Sequence, residues 1–72
     1  MTEPPTMSHE EVLRVKLGLL QREHRDLDEA IAAMDREGKG DALTIRRLKK
    51  RKLMLRDEIA RIEDELTPDI IA

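Results

Sequence analysis

The hydrophobic positions of the chain recur at steps of three and four residues in two separate stretches. The first stretch keeps this spacing over residues 13–34, with His24 at one of its positions, and the second runs over residues 45–66 with Lys52 at one position. This spacing places the apolar side chains on one stripe of an α-helix, as in the seam of a coiled coil. The sequence therefore predicts two amphipathic helices whose stripes need a partner.

Local capping and glycine signals predict where the two helices begin and end. Ser8 and Glu11 have the spacing of a capping box, which satisfies the first free amides of a helix. Gly38 can take the left-handed conformation that closes a helix, and Asp41 can cap the next one. The chain is thus predicted to begin with a disordered N-terminal tail at residues 1–7 and to end with a C-terminal tail at residues 67–72. Between them, residues 8–66 form a helical hairpin, with helix 1 at about 9–36, a loop at 37–41 and helix 2 at about 42–66.

The two stripes match each other when the chain folds back as an antiparallel hairpin. Facing residues in such a hairpin have numbers with a constant sum, and seven pairs, from Leu13 with Leu66 to Met34 with Ile45, satisfy this condition. The sequence predicts an all-α, coiled-coil-like two-helix hairpin, assembled into a dimer or higher helical bundle. The predicted hairpin seam consists of Leu13, Leu17, Leu20, His24, Leu27, Ile31, Met34, Ile45, Leu48, Lys52, Leu55, Ile59, Ile62 and Leu66.

Charges beside the seam agree with this register, because residues of opposite sign face each other. The expected pairs are Glu23 with Arg51, Lys16 with Glu58 or Glu65, and Asp28 with Lys49 or Arg56. Two seam positions are themselves polar, His24 and Lys52. His24 is interpreted as a partly buried residue that tunes register, with a pH-sensitive layer as the alternative, because imidazole titrates near neutrality.

Composition limits the chemistry that the chain can carry. The 72 residues include no Phe, Tyr, Trp or Cys, so disulfides are excluded, and two histidines do not supply a zinc site. The only serine is the expected cap, and Gly38-Lys39-Gly40 lacks the longer phosphate-cradling pattern. We expect no enzyme activity, no cofactor, no metal and no small-molecule substrate. No stretch resembles a signal peptide or a membrane span, so the expected location is the cytoplasm.

Six of the seven residues from Arg46 to Lys52 are basic, although the net charge of the chain is −2. Such a run can bind an acidic protein surface, nucleic acid or anionic lipid. The lack of aromatic residues to stack bases and the acidic residues later in the helix argue against nucleic acid, and favour a solvated face or one that pairs with another copy. The candidate anionic-partner patch consists of Arg46, Arg47, Lys49, Lys50 and Arg51.

Further apolar residues lie outside the seam and would remain exposed to solvent in a single hairpin. A second copy of the chain would cover them, and the alternative is a docking groove for a helix of another protein. The candidate oligomer or partner face consists of Val12, Val15, Leu19, Ala30, Ala33 and Met54.

Two stretches resemble the YdcH-like family of small, uncharacterised bacterial proteins: His24-x-x-Leu27-Asp28-x-x-Ile31, and the run from Leu48 to Ile59, LKKRKLMLRDEI. The resemblance covers roughly residues 10–66 and implies a short helical hairpin of bacterial origin, without an established activity. The predicted function is a small, non-catalytic, self-associating protein-interaction module of unknown cellular role. The alternative is a nucleic-acid-binding accessory protein that uses the basic run of helix 2.

Overall fold

The protein folds into two long α-helices packed against each other as an antiparallel hairpin. A computed structural model describes residues 8–67, which form α1 (His9–Glu37) and α2 (Ala42–Leu66). The predicted all-α hairpin is confirmed, and α1 ends one residue later than the sequence indicated. The tail expected at residues 1–7 lies outside the described residues, as does the tail expected at residues 67–72 except for Thr67, which caps the end of α2.

A capping box starts α1. The Ser8 hydroxyl accepts a hydrogen bond from the Glu11 amide at 3.1 Å, and the Glu11 carboxylate accepts one from the Ser8 amide at 2.9 Å. Two amides that the helix leaves unpaired are thereby satisfied. The negative charges of Glu10 and Glu11 in this first turn also suit the positive end of the helix dipole.

The connection between the helices is short because glycine and aspartate close one helix and open the next. Gly38 adopts the left-handed conformation, with φ of 64°, and its amide donates to the carbonyl of Met34. Asp41 then accepts a hydrogen bond from the Thr44 amide at 2.7 Å and caps α2. The hydrogen bonds that the Asp41 carboxylate accepts, of which that from the Thr44 amide has the largest effect, lower the pKa of Asp41 from its usual value.

The loop also requires a glycine for packing at Gly40. A Cβ atom at this position would lie 2.9 Å from Met34 Sδ and 3.1 Å from Ile45 Cγ1, closer than side chains normally approach. We therefore expect Gly40→Ala to lower the free energy of unfolding by about 1–3 kcal/mol through overpacking. Gly18→Ala is the matched control, since its Cβ would meet nothing within 4 Å and alanine favours the helix by roughly 1 kcal/mol. Urea unfolding of both variants should show opposite signs, and two changes of the same sign would contradict this description of the loop.

The core between the helices is a single thin line of aliphatic side chains. Only Ile31, Leu55 and Ile62 are buried among the described residues, with Leu55 the most enclosed at 2% exposure. The structure places the other eleven predicted seam residues, including His24 and Lys52, at partly buried positions. A core of this size leaves the outer faces of both helices to solvent.

Candidate interaction surfaces

Salt bridges along one edge of the hairpin set the register of the two helices. Glu23 binds Arg51 at 2.5 Å, and Lys16 lies 3.8 Å from Glu58, so both expected pairs are present. His9 adds a contact of 3.5 Å to Glu65, which the sequence pattern did not indicate. Each exposed pair contributes about 0.2–1 kcal/mol at most. These bridges therefore select orientation more than they supply stability.

Lys52 explains the single polar interruption in the seam of α2. Its ammonium donates a 2.7 Å hydrogen bond to Asp28, while its side chain is only 31% exposed. The aliphatic stem covers the seam and carries the charge out to the opposite edge of the hairpin. The expected salt bridge of Asp28 to Lys49 or Arg56 was wrong, because the long side chain of Lys52 reaches this carboxylate from a seam position.

This contact makes the stability of the hairpin depend on pH. The hydrogen bond from Lys52, followed by its positive charge, lowers the pKa of Asp28. Because the pKa of Asp28 is lower in the folded state than in the unfolded state, its contribution to the free energy of unfolding is complete above the unfolded pKa. This contribution is lost as pH falls through the folded pKa. Asp28→Asn should therefore melt below the wild-type protein at about pH 7, and the two melting temperatures should converge as pH falls below the folded pKa of Asp28.

The control for this experiment is Asp26→Asn, on the same helix. Asp26 is exposed and makes no salt bridge with any residue in 8–67, so its neutralisation should leave the melting temperature nearly unchanged. Equal losses in both variants at neutral pH would show that helix charge, not the contact with Lys52, is responsible.

A groove opens between the helices beside His24, on the same edge as Asp28. It encloses about 560 Å³ and is lined by Gln21, His24, Arg25, Asp28, Arg56 and Ile59. The lining contains no serine or lysine nucleophile, and the ionised Asp28 is held by Lys52. Over residues 8–67 no three His, Asp or Glu side chains come together in a way that could hold a metal ion.

Only one member of the basic patch forms a salt bridge within the described part of the hairpin. Arg51 is engaged by Glu23, and so this member of the predicted patch is neutralised within the fold. The other four members are exposed and form no salt bridge with another residue of the described part: Arg46, Arg47, Lys49 and Lys50. They project from the first turns of α2 as free positive charge.

The structure separates the predicted apolar face into exposed and partly covered positions. Val12, Val15, Leu19 and Met54 are between 47% and 62% exposed, whereas Ala30 and Ala33 are partly buried beside the seam. Two further exposed side chains, Leu43 and Leu53, were not part of the predicted face. Both lie off the seam of α2, and this position was the signal in the sequence that could have identified them.

The exposed apolar side chains form one group on each helix. Val12, Val15 and Leu19 form the α1 patch, which occupies two turns because these residues are three and four positions apart. Leu53 and Met54 form the α2 pair, which lies between the basic first half and the acidic second half of that helix. Each helix therefore presents an apolar group of its own to solvent.

The molecule thus belongs to the class of small, all-α helical hairpins with charged outer faces and a thin aliphatic seam. A protein family, described as "Protein of unknown function (DUF465)", has a sequence profile that matches residues 19–63, which is more than half of the chain. The chain belongs to this family, which contains the YdcH-like small bacterial proteins, and the resemblance seen in the sequence is confirmed. No curated protein and no solved structure matches the chain. Neither described helix is long and apolar enough to cross a membrane.

Proposed function

We propose that this protein is a non-catalytic interaction module that self-associates through apolar side chains outside its seam. The observation that carries the proposal is an imbalance among the large hydrophobic residues. Three are buried in the described part of the chain, whereas six are about half exposed or more. A folded domain without disulfides normally gains stability by covering such side chains.

The exposed residues are grouped in a way that supports association. The α1 patch and the α2 pair each present neighbouring apolar side chains on a charged helix surface. Full burial of one such side chain contributes roughly 1.5–3 kcal/mol. Covering either group with a second copy would therefore stabilise the assembly, although four to six side chains predict an association in the micromolar range.

Light scattering of the full chain over a dilution series tests this proposal. The chain weighs 8.3 kDa, and we expect the measured mass to rise to at least twice this value as the concentration passes through the micromolar range. Detection should use refractive index, since the chain has no Trp or Tyr to absorb near 280 nm. A mass that stays at 8.3 kDa up to several hundred micromolar would contradict self-association.

The non-catalytic part of the proposal rests on the chemistry of the surfaces. The groove offers His24, two arginines, a glutamine and an ionised aspartate that is paired with Lys52, but no serine, cysteine or lysine nucleophile for a base to activate. Binding of another macromolecule is the function that these faces support, and the cytoplasmic location stays a prediction.

The four unpaired basic residues at the start of α2 support a second candidate, an accessory role in binding nucleic acid. If this candidate holds, the affinity for a mixed DNA and RNA pool should fall steeply with salt, because phosphate binding releases counterions. Neutralising Arg46, Arg47, Lys49 and Lys50 to glutamine should abolish the binding. Neutralising Arg22, Arg25 and Arg36 of α1, which also form no salt bridge within the described residues, is the control and should change it little. Absence of binding at low salt would remove this candidate.

A further inference from the structure

The order of charges along α2 opposes the helix dipole. The first turn contains no acidic residue and the last turn no basic residue, whereas basic residues dominate the first half of the helix and acidic residues the second. A helix is stabilised by the reverse order, with acids at its start and bases at its end. The stability of α2 itself therefore does not explain the arrangement.

The same order becomes favourable if a second α2 lies antiparallel beside the first. Lys50 lies three residues before Leu53, and Asp57 lies three residues after Met54, so the charge changes sign about the α2 pair. Lys50 and Asp57 are exposed on the side away from the seam, and neither forms a salt bridge with another residue in 8–67. The sign change, the apolar centre and the free charges together make this surface complementary to itself.

From this pattern we infer that a second copy of the chain binds the outer face of α2 about a two-fold axis at Leu53 and Met54. This inference rests on the proposed self-association and identifies which surface carries it. A two-fold contact uses the same patch on both copies. Lys50 of each copy then lies opposite Asp57 of the other, while the four central apolar side chains cover one another.

The surface beside this axis has room for a side chain of the second copy. A groove of about 250 Å³ runs along α2 and is lined by Met54, Asp57, Glu58 and Arg61. Antiparallel pairing brings Leu53 of the second copy to the level of Met54, at one end of this groove. Arg61 is the one basic residue of the acidic half on this face, and the same register brings it to the level of Arg46 of the second copy, so the pairing of opposite charges is confined to Lys50 and Asp57 beside the axis.

The α1 patch lacks the same self-complementarity, although it is equally exposed. The acidic residues at the start of α1 are already engaged within their own helix. Glu10 is bound by Arg14 at 2.8 Å, and Glu11 accepts the hydrogen bond from Ser8 in the capping box. On α2, in contrast, the charges that would meet a second copy are free.

Charge reversal at Lys50 and Asp57 tests the inference. Lys50→Asp and Asp57→Lys should each weaken association by about tenfold or more, because each places like charges together at two symmetric points. The double variant restores opposite charges at both points, so its dissociation constant should return to within roughly threefold of the wild-type value. The dissociation constants come from sedimentation equilibrium, and circular dichroism checks that helicity is retained.

Lys49→Asp is the matched control, since Lys49 is on the same turn of α2 but off the face around the two-fold axis. It should leave the dissociation constant nearly unchanged. If the double variant stays as weak as the single ones, or if Lys49→Asp weakens association equally, the antiparallel contact is overturned. Self-association with no response to any of these changes would refute the contact and leave the proposed function standing. A wild-type chain that is monomeric refutes both.

Discussion

Leu55→Ala is expected to remove a large share of the free energy of unfolding of the protein. Leu55 is 2% exposed and is the most enclosed side chain of the described residues. Truncation of a buried leucine to alanine typically lowers the free energy of unfolding by about 2–5 kcal/mol. A folded unit of this size is stabilised by only about 3–9 kcal/mol, at roughly 0.05–0.15 kcal/mol per residue. A single buried side chain therefore accounts for a large share of the stability.

Urea unfolding followed by circular dichroism measures this loss, and Leu43→Ala is its control. Leu43 is 56% exposed on the same helix, so the same truncation there should change the free energy of unfolding by about 0.5 kcal/mol or less. The comparison should be made at one protein concentration, because self-association also contributes to apparent stability. Similar losses in both variants would mean that the seam is not the core of the fold.

Leu53→Glu is expected to dissociate the assembly while leaving the hairpin folded. Leu53 is 55% exposed in the single hairpin, so glutamate there remains hydrated and helicity is retained. In the antiparallel assembly, two such carboxylates would lie against each other and against Met54 at the axis. An ionised carboxylate that is desolvated without a partner is strongly unfavourable. We expect the dissociation constant to rise about a hundredfold or more.

The control for this variant is Leu19→Glu in the α1 patch. Leu19 is 62% exposed, and it lies on the other helix, away from the proposed axis. Sedimentation equilibrium should give the wild-type mass for Leu19→Glu and close to 8.3 kDa for Leu53→Glu. The opposite result would assign association to the α1 patch.

Much of the hairpin could be predicted from sequence because its determinants are local or periodic. The capping box at Ser8, the left-handed Gly38 and the cap at Asp41 each depend on a few adjacent residues, and all three are present. The seam follows from the spacing of apolar residues. The register follows from the loop position together with the opposite charges of Glu23 and Arg51.

Details that depend on side-chain reach and helix crossing could not be predicted in this way. A heptad assignment places Lys52 in the seam but does not show that its stem extends to Asp28. Ala30 and Ala33 have flank positions in the heptad assignment, yet both are partly buried in the structure. Leu43 lies off the seam in the first turn of α2, and how much of it stays exposed depends on how closely α1 approaches there.

An isotope-filtered nuclear Overhauser experiment on a mixture of labelled and unlabelled full-length chains tests the antiparallel α2 contact most directly. Cross-peaks in this experiment arise only between protons of different copies. We expect cross-peaks between the Met54 methyl group of one copy and the Leu53 methyl groups of the other, and none from Leu19. Cross-peaks that involve Leu19 instead, or no cross-peaks at millimolar protein, would contradict this contact.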